Sequence, residues 1–247
     1  MKQKVVVIIQ ARMGSTRLLG KILKDIAGKP MLAHVIERLK NAKLVDEIVI
    51  ATTRQEEDRT ILKFADKSRV KSFAGSGEDV LDRYYQAAKK YQADVVVRIT
   101  SDCPLIDPDV VDQVIVFYLK NKSTVGYVSN SLKRSYPRGL DTEVFPFEVL
   151  KRAWQEANKP YQREHVTPYI YQHPEIFHLA NVENNEDLSY MRWTVDEERD
   201  LEFVREVYKR LYKEGEIFLM EDILTLLRKE PQLMQINKNV KQKALIE

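Results

Sequence analysis

The chain has 247 residues, 40 of them lysine or arginine against 37 acids, 44% apolar residues and one cysteine. That length can bury a core without disulfide or metal staples; one cysteine excludes an internal disulfide and fits a reducing compartment, and eight glycines with nine prolines exclude a fibrous or low-complexity chain. The longest apolar run near the start, Val5 to Ile9, is too short for a signal peptide or a membrane span, so a soluble, cytoplasmic protein with no membrane partner is expected.

Val5 to Ile9 is β-branched and continuous, the pattern of a strand covered on both faces of a parallel sheet. Met31, Leu32, Val35, Ile36 and Leu39 recur at helical spacing. Ile48–Ile50 is a second strand, Ile61, Leu62 and Ala65 mark a helix, and Val70–Phe73 is a short third strand. Val80, Leu81, Tyr84, Tyr85 and Ala88 form another helical stripe. Val95–Ile99 is again a buried strand, and Asp107-Pro108 opens a helix with aspartate as cap and proline at the first helical position. After about residue 126 the rhythm breaks into short strands at Tyr127–Ser129, Glu143–Phe145, His178–Asn181 and Met191–Thr194. Two helices follow, near Leu201–Leu211 and Met220–Leu227, and a basic tail from Asn237 is expected to fray. Alternating strands and helices predict an α/β fold with a mostly parallel central sheet. In such a sheet ligands bind beyond the carboxyl ends of the strands.

The loop after the first strand, Gln10 to Lys21, therefore matters most. Residues 1–30 carry seven cations, among them Arg12, Arg17 and Lys21, against Asp25 alone, and so predict an anionic partner. Aromatic residues are not interleaved with these charges, which disfavours nucleic acid. Gly14 and Ser15 permit a turn whose N–H groups could converge on phosphate oxygens, and guanidinium groups match phosphate with two prongs. Neither common phosphate loop fits. Five residues separate Gly14 from Gly20 and Ile22 follows Lys21, against the Walker pattern; Gly75-Ser76-Gly77 runs on to Val80 where the dinucleotide fingerprint needs a third glycine. The plain alternative is a βα loop whose cations face water. Asp102, just beyond the strand ending near Ile99, is a turn former or a magnesium ligand; Asp196 has the same character. Asp107-Pro108-Asp109 is a cap rather than a metal motif, and Cys103, His34, His173, His178, Trp154, Trp193 and Tyr169–Tyr171 are read as structural.

Gln10–Lys21 resembles the nucleotide-binding signature of the cytidylyltransferases that activate acidic sugars. The likeness is to the spore-coat polysaccharide branch, related to the acylneuraminate and 3-deoxy-manno-octulosonate cytidylyltransferases. It continues at Gly28–Leu32, Ile48–Thr52, Gly77–Tyr84, Arg98–Pro108, Arg163–Tyr169 and Arg192–Asp196, with Leu19 departing where the family often has proline. The resemblance implies a three-layer α/β/α nucleotide-diphospho-sugar transferase-like fold in a single nucleotidyltransferase domain, 1–247. Residues 1–125 would be its nucleotide-binding half and 126–190 an acceptor-binding and dimerisation lobe, with a homodimer as the assembly. It implies CTP and a small acidic sugar as substrates, and Mg²⁺ on Asp102 and Asp196. It implies catalytic roles for Arg12, Arg17, Lys21 and Asp102, and nucleotide contacts from Ala11, Arg12, Gly14, Ser15, Arg17 and Lys21. Topology and resemblance add Thr52, Thr53, Glu78, Asp79 and Arg83 for base and ribose. For the acceptor, arginine would grip the carboxylate and acids the hydroxyls: Arg138, Asp141, Glu143, Arg163, Glu164 and His165 are the candidates, with Asp141 or His165 able to relay a proton. Two other functions stay open, a glycosyltransferase using a nucleotide-sugar donor and a nucleotide sensor without turnover.

Overall fold

The structure, a computed structural model, describes residues 2–15 and 17–242. The first half holds β1 (Val5–Gln10), a hairpin of β2 (Asp25–Ile26) and β3 (Lys29–Pro30), α1 (Met31–Leu39), β4 (Glu47–Thr53), α2 (Arg59–Lys67), β5 (Lys71–Gly75), α3 (Val80–Lys90), β6 (Val95–Thr100) and α4 (Pro108–Asn121). The second holds β7 (Tyr127–Ser129), β8 (Glu143–Pro146), α5 (Phe147–Glu156), the short helices α6 (Pro160–His165), α7 (Pro168–Tyr171) and α8 (Pro174–Phe177), β9 (Leu179–Asn181), α9 (Glu198–Leu211) and α10 (Met220–Lys229).

The strand period of two sends Val5, Val7 and Ile9 of β1 into the core on one face of the sheet, and Val6 and Ile8 into the core on the other. Both faces are therefore roofed by helices, which is why β1 has no polar face. α1 closes one side with Met31, Leu32, Val35, Ile36 and Leu39, all buried; α3 closes the opposite side with Leu81, Tyr84 and Ala88. Asp107 caps α4 as its spacing predicts: its Oδ1 accepts from the amides of Asp109 (2.8 Å) and Val110 (3.2 Å), with Pro108 in the first turn. His34 is buried, its Nε2 2.7 Å from the Ile26 carbonyl, and Trp193 is buried in the core.

The seven strands lie in the order β5-β4-β1-β6-β8-β7-β9. β5, β4, β1 and β6 are parallel; β8 runs antiparallel to β6 and β7, and β9 parallel to β7. This is the three-layer, mostly parallel α/β/α architecture expected. From β1 the chain travels to β4 on one side and comes back to β6 on the other, so the crevice beyond Gln10 and Thr100 is the switch point where ligands bind in such sheets. Among the described residues no helix is long and apolar enough to cross a membrane.

Two expectations are corrected. Met191–Thr194 is not a strand. It makes an isolated bridge, Arg138 with Arg192, closed by Arg138 N to Met191 O (3.0 Å) and Trp193 N to Arg138 O (2.7 Å). The ladder cannot extend, because Leu140 N turns back to Pro137 O and Val195 N is taken by Asp102 O at 2.8 Å. The tail does not fray at Asn237, which is buried and donates to Arg192 O at 2.8 Å; residues 243–247 of that tail lie outside the described residues.

Gly139 sits at that crossing with φ +113°, and a Cβ there would lie 2.6 Å from Thr194 N and 2.7 Å from Trp193 C. Both obstacles are backbone. Gly139→Ala is expected to cost about 2 kcal/mol or more, read as a lower urea midpoint with an unchanged slope.

Candidate active site

The cationic loop is held from below before it is held by anything it binds. Buried Asp58, at the start of α2, accepts from Met13 N at 2.7 Å and from the Thr53 hydroxyl, fixing the loop to the end of β4. The Met13 carbonyl then accepts from Ser15 N (2.8 Å) and Gly20 N (3.3 Å). This revises the expected anion cradle, since the Ser15 amide is turned inward. Among the described residues of the loop the left-handed one is Gly20, φ +62°, not Gly14. Thr16 lies outside the described residues.

From Gly20 the chain delivers Lys21 into the crevice. Its Nζ donates to Asp102 Oδ2 (2.8 Å), Val195 O (2.7 Å) and Asp196 Oδ1 (3.1 Å). Arg17 Nη2 reaches the same Asp196 oxygen at 2.8 Å. Burial opposes charge on both sides of this cluster. For Asp102 the Lys21 ammonium outweighs burial and holds the carboxyl below its ordinary range. For Lys21 the two carboxylates outweigh burial and raise the ammonium. Lys21 and Asp102 are therefore both ionised at neutral pH. The Thr100 hydroxyl donates to Asp102 Oδ1 at 2.6 Å and orients it.

These groups form the wall between two adjoining clefts of about 610 and 470 Å³, both within the usual size of small-molecule sites. The first is lined by Ala11, Arg12, Ser15, Arg17, Lys21, Gln55, Gly77, Glu78, Arg83 and Ser101. Arg83 is buried, donates to Ser76 O at 2.7 Å and, among the described residues, keeps its Nε without a partner. The second is lined by Arg98, Arg138, Asp141, Glu143, Glu164, His165, Thr167 and Thr194, among others. Gln10, Arg17, Thr100, Asp102, Glu164, His165 and Asp196 line both. In the second cleft Arg134 grips Asp141 with both terminal nitrogens. Arg138 makes no side-chain hydrogen bond or ion pair among the described residues. Burial, and then the neighbouring Arg134, disfavour its charge, so an incoming carboxylate would relieve it. His165 and Thr167 flank Val166, a buried β-branched residue at φ +73°. That costly conformation turns both neighbours toward the cleft.

Not every residue expected at the site reaches it. Arg163 and Asp79 pair with each other, and Arg163 also donates to Trp154 O; Asp79 caps α3 through Asp82 N at 2.8 Å. Thr52 and Thr53 are buried under the loop, and none of these four, nor Gly14, lines either cleft. Glu143 lines the second cleft, but its carboxylate already accepts from Arg98, Tyr127 and Thr167. It fixes the floor instead of offering free oxygens. Sequence reasoning passed over Asp58, Thr100, Arg192 and Asp200. It also passed over Arg98, whose signal was there: one cation inside the apolar run Val95–Ile99.

Could the acids take a divalent ion? Among the described residues no group of three or more His, Cys, Asp or Glu gathers as a metal cluster. Asp102, Asp196 and the Val195 carbonyl nevertheless converge on one point, now filled by the Lys21 ammonium. Two carboxylates and a carbonyl are hard oxygen donors. They fit Mg²⁺, which takes few protein ligands and completes its shell with phosphates and water.

A cationic loop facing paired acids across the switch point of a parallel sheet defines a nucleotide-binding α/β protein. The sequence pattern of the cytidylyltransferase family matches residues 6–244, and the chain belongs to that family. It is 40% identical over 245 residues to an uncharacterized protein of Methanocaldococcus jannaschii, covering 98% of this chain and 97% of that one. To the spore coat polysaccharide biosynthesis protein SpsF of Bacillus subtilis it is 30% identical, covering 92% and 95%. It shares 38% identity over 117 residues with a 3-deoxy-manno-octulosonate cytidylyltransferase of Geobacter sulfurreducens, 47% of this chain and 46% of that one. The solved structure of a cytidylyltransferase from Leptospira borgpetersenii superposes with a TM-score of 0.91 at 33% identity, over 98% of this chain and all of that one.

Cys103 lies directly beneath Asp102, its Sγ 3.3 Å from the Thr100 hydroxyl. Burial pushes the thiol well up, and Asp102 and Asp141 add to it. At pH 8 its alkylation by iodoacetamide should be on the order of a hundredfold slower in the native protein than in urea, as measured by mass spectrometry.

Proposed function

We propose that the protein transfers CMP from CTP to an acidic sugar with release of pyrophosphate, as a step in making a cell-surface or spore-coat polysaccharide. The observation that carries this reading is the convergence of Arg17 and Lys21 with Asp102 and Asp196 on the wall between two clefts. One cleft is rimmed by cations and suits a triphosphate; the other holds a guanidinium, Arg138, unpaired among the described residues, and suits a carboxylate. The family and its named relatives, an octulosonate cytidylyltransferase and a spore-coat polysaccharide protein, support the choice of CTP and of a sugar acid.

An oxygen of the acceptor attacks the α-phosphorus in line. The bond from that phosphorus to the bridging oxygen breaks, and pyrophosphate leaves with the electron pair. Such transfers are governed by positioning and charge stabilisation. Arg12, Arg17 and Lys21 would bind the β- and γ-phosphates and neutralise the charge gathering on pyrophosphate. Mg²⁺ would be held by Asp102 and Asp196, and when bound supplies further neutralisation of phosphate oxygens. Glu78 and Arg83 would contact base or ribose. Arg138 would hold the acceptor carboxylate, and Asp141 and His165 flank the place where the acceptor hydroxyl gives up its proton.

Pyrophosphate release is the test, with each of four nucleoside triphosphates, Mg²⁺ and a panel of sugar acids. CTP should be preferred. Release of a free nucleoside diphosphate from a nucleotide-sugar would point to glycosyl transfer, and tight nucleotide binding without product to a sensor. Asp102→Asn should abolish turnover with the fold intact by circular dichroism; unchanged turnover would remove the metal assignment. Lys21→Ala should weaken nucleotide binding. Arg138→Ala should raise KM for the acceptor about 10- to 100-fold, by losing a charge-assisted bond, and leave KM for CTP nearly unchanged.

A further inference from the structure

We propose that Arg192, held by Asp200, is a positioning residue that fixes how the Asp196 carboxylate faces the nucleotide, and that the segment following α10 completes the clamp. The inference rests on the reaction above and extends to residues that touch no substrate. Arg192 Nε donates to Asp200 Oδ1 (2.9 Å) and Nη2 to Asp200 Oδ2 (3.1 Å); the same Nη2 donates to Asp196 Oδ2 at 2.8 Å. Asp200 is 0% exposed. Its carboxylate also accepts from Asp196 N (2.9 Å), Glu197 N (3.1 Å) and Asn237 Nδ2 (3.1 Å).

Capping of α9 explains one of these contacts, the one to Glu197 N. It does not explain why the same buried acid holds the Asp196 amide and, through Arg192, the Asp196 side chain. The result is a division of labour at Asp196. Oδ2 is occupied by Arg192, and Oδ1 alone faces Lys21 and Arg17. A carboxylate free to rotate would present either oxygen, and reacting groups lose rate steeply when misplaced. The planar fork of Arg192 serves both acids from donors held in a fixed geometry. From the far end of the chain, Asn237 Nδ2 donates to Arg192 O (2.8 Å), and Gln242 Oε1 accepts from Arg192 Nη1 (2.7 Å).

The test compares full-length Arg192→Lys and Asn237→Ala with wild type. It reads kcat and KM for CTP, thermal midpoint, and Mn²⁺ affinity in the presence of a non-hydrolysable CTP analogue by electron paramagnetic resonance. For Arg192→Lys we expect kcat to fall about tenfold or more, Mn²⁺ affinity to fall about tenfold, and KM for CTP to stay within about threefold. Asn237→Ala should change the first two in the same direction but less, and it decides alone if Arg192→Lys does not fold. Unchanged kcat and Mn²⁺ affinity, whatever the thermal midpoint does, would overturn the proposal. So would tighter Mn²⁺ binding in Arg192→Lys, because Arg192 would then only compete for Asp196. If wild type binds Mn²⁺ with the analogue yet turns over no acceptor, the reaction assignment falls and the Mn²⁺ comparison still decides the positioning role. If wild type binds no Mn²⁺ with the analogue, the positioning proposal falls too.

Discussion

One ammonium group ties together the walls of the two clefts. Lys21 reaches Asp102, 81 residues away, and Asp196, 175 residues away, within 3.1 Å of both. Three segments remote in sequence thus meet at one nitrogen. Buried ion pairs add little net stability against apolar packing, yet breaking one leaves an uncompensated charge. What the contact supplies is placement. It holds the loop after β1 against the end of β6 and the segment before α9. Asp102 stays ionised because the cation is there, and the cation stays charged because the carboxylates are there.

A second buried network does the same for the other cleft. Arg98 and Glu143 face each other across β6 and β8, and Tyr127 and Thr167 close the remaining valences of the acid. Each partner is on a different element, so the floor of the cleft is fixed by a fully engaged carboxylate. Above that floor stands Arg138, which makes no side-chain hydrogen bond or ion pair among the described residues; within the floor, Arg98 Nε alone is left without a partner among the described residues. Polar networks of this kind are rigid when satisfied and costly when not. That contrast separates scaffolding from recognition in a cleft whose residues look alike by type.

The fold was legible because its signals are local. Val5–Ile9 could only be a strand roofed on both sides, and Asp107-Pro108 could only open a helix. Arg12, Arg17, Lys21 and Asp102 were legible for a topological reason, standing just past strands that had to end at the ligand-binding rim. Asp196 was legible mainly through resemblance. What stayed hidden depended on partners chosen in three dimensions. Arg163 and Asp79 have the right chemistry for a site, but they satisfy each other. Asp200 reads as an ordinary first-turn acid until its four donors are seen together. The stretch Met191–Thr194 has strand composition, but Asp102 takes the next amide and ends the pairing. Asn237 sits in a basic tail that looks dispensable, and nothing in its neighbours announces a contact with Arg192.

β8 alone runs against the parallel strands beside it, and that reversal shapes what the protein can become. Because its amino end lies beside the carboxyl end of β6, the stretch leading into it, Arg138 to Thr142, emerges on the same rim as the loop after β1. A parallel strand in that place would have sent the stretch to the opposite rim. One inverted strand therefore lets two independently varying stretches of chain share a single rim. If the later stretch holds the acceptor, as proposed, substitutions there would retune acceptor choice and leave the loop after β1 untouched, an arrangement that lets one chemistry spread over many acceptors.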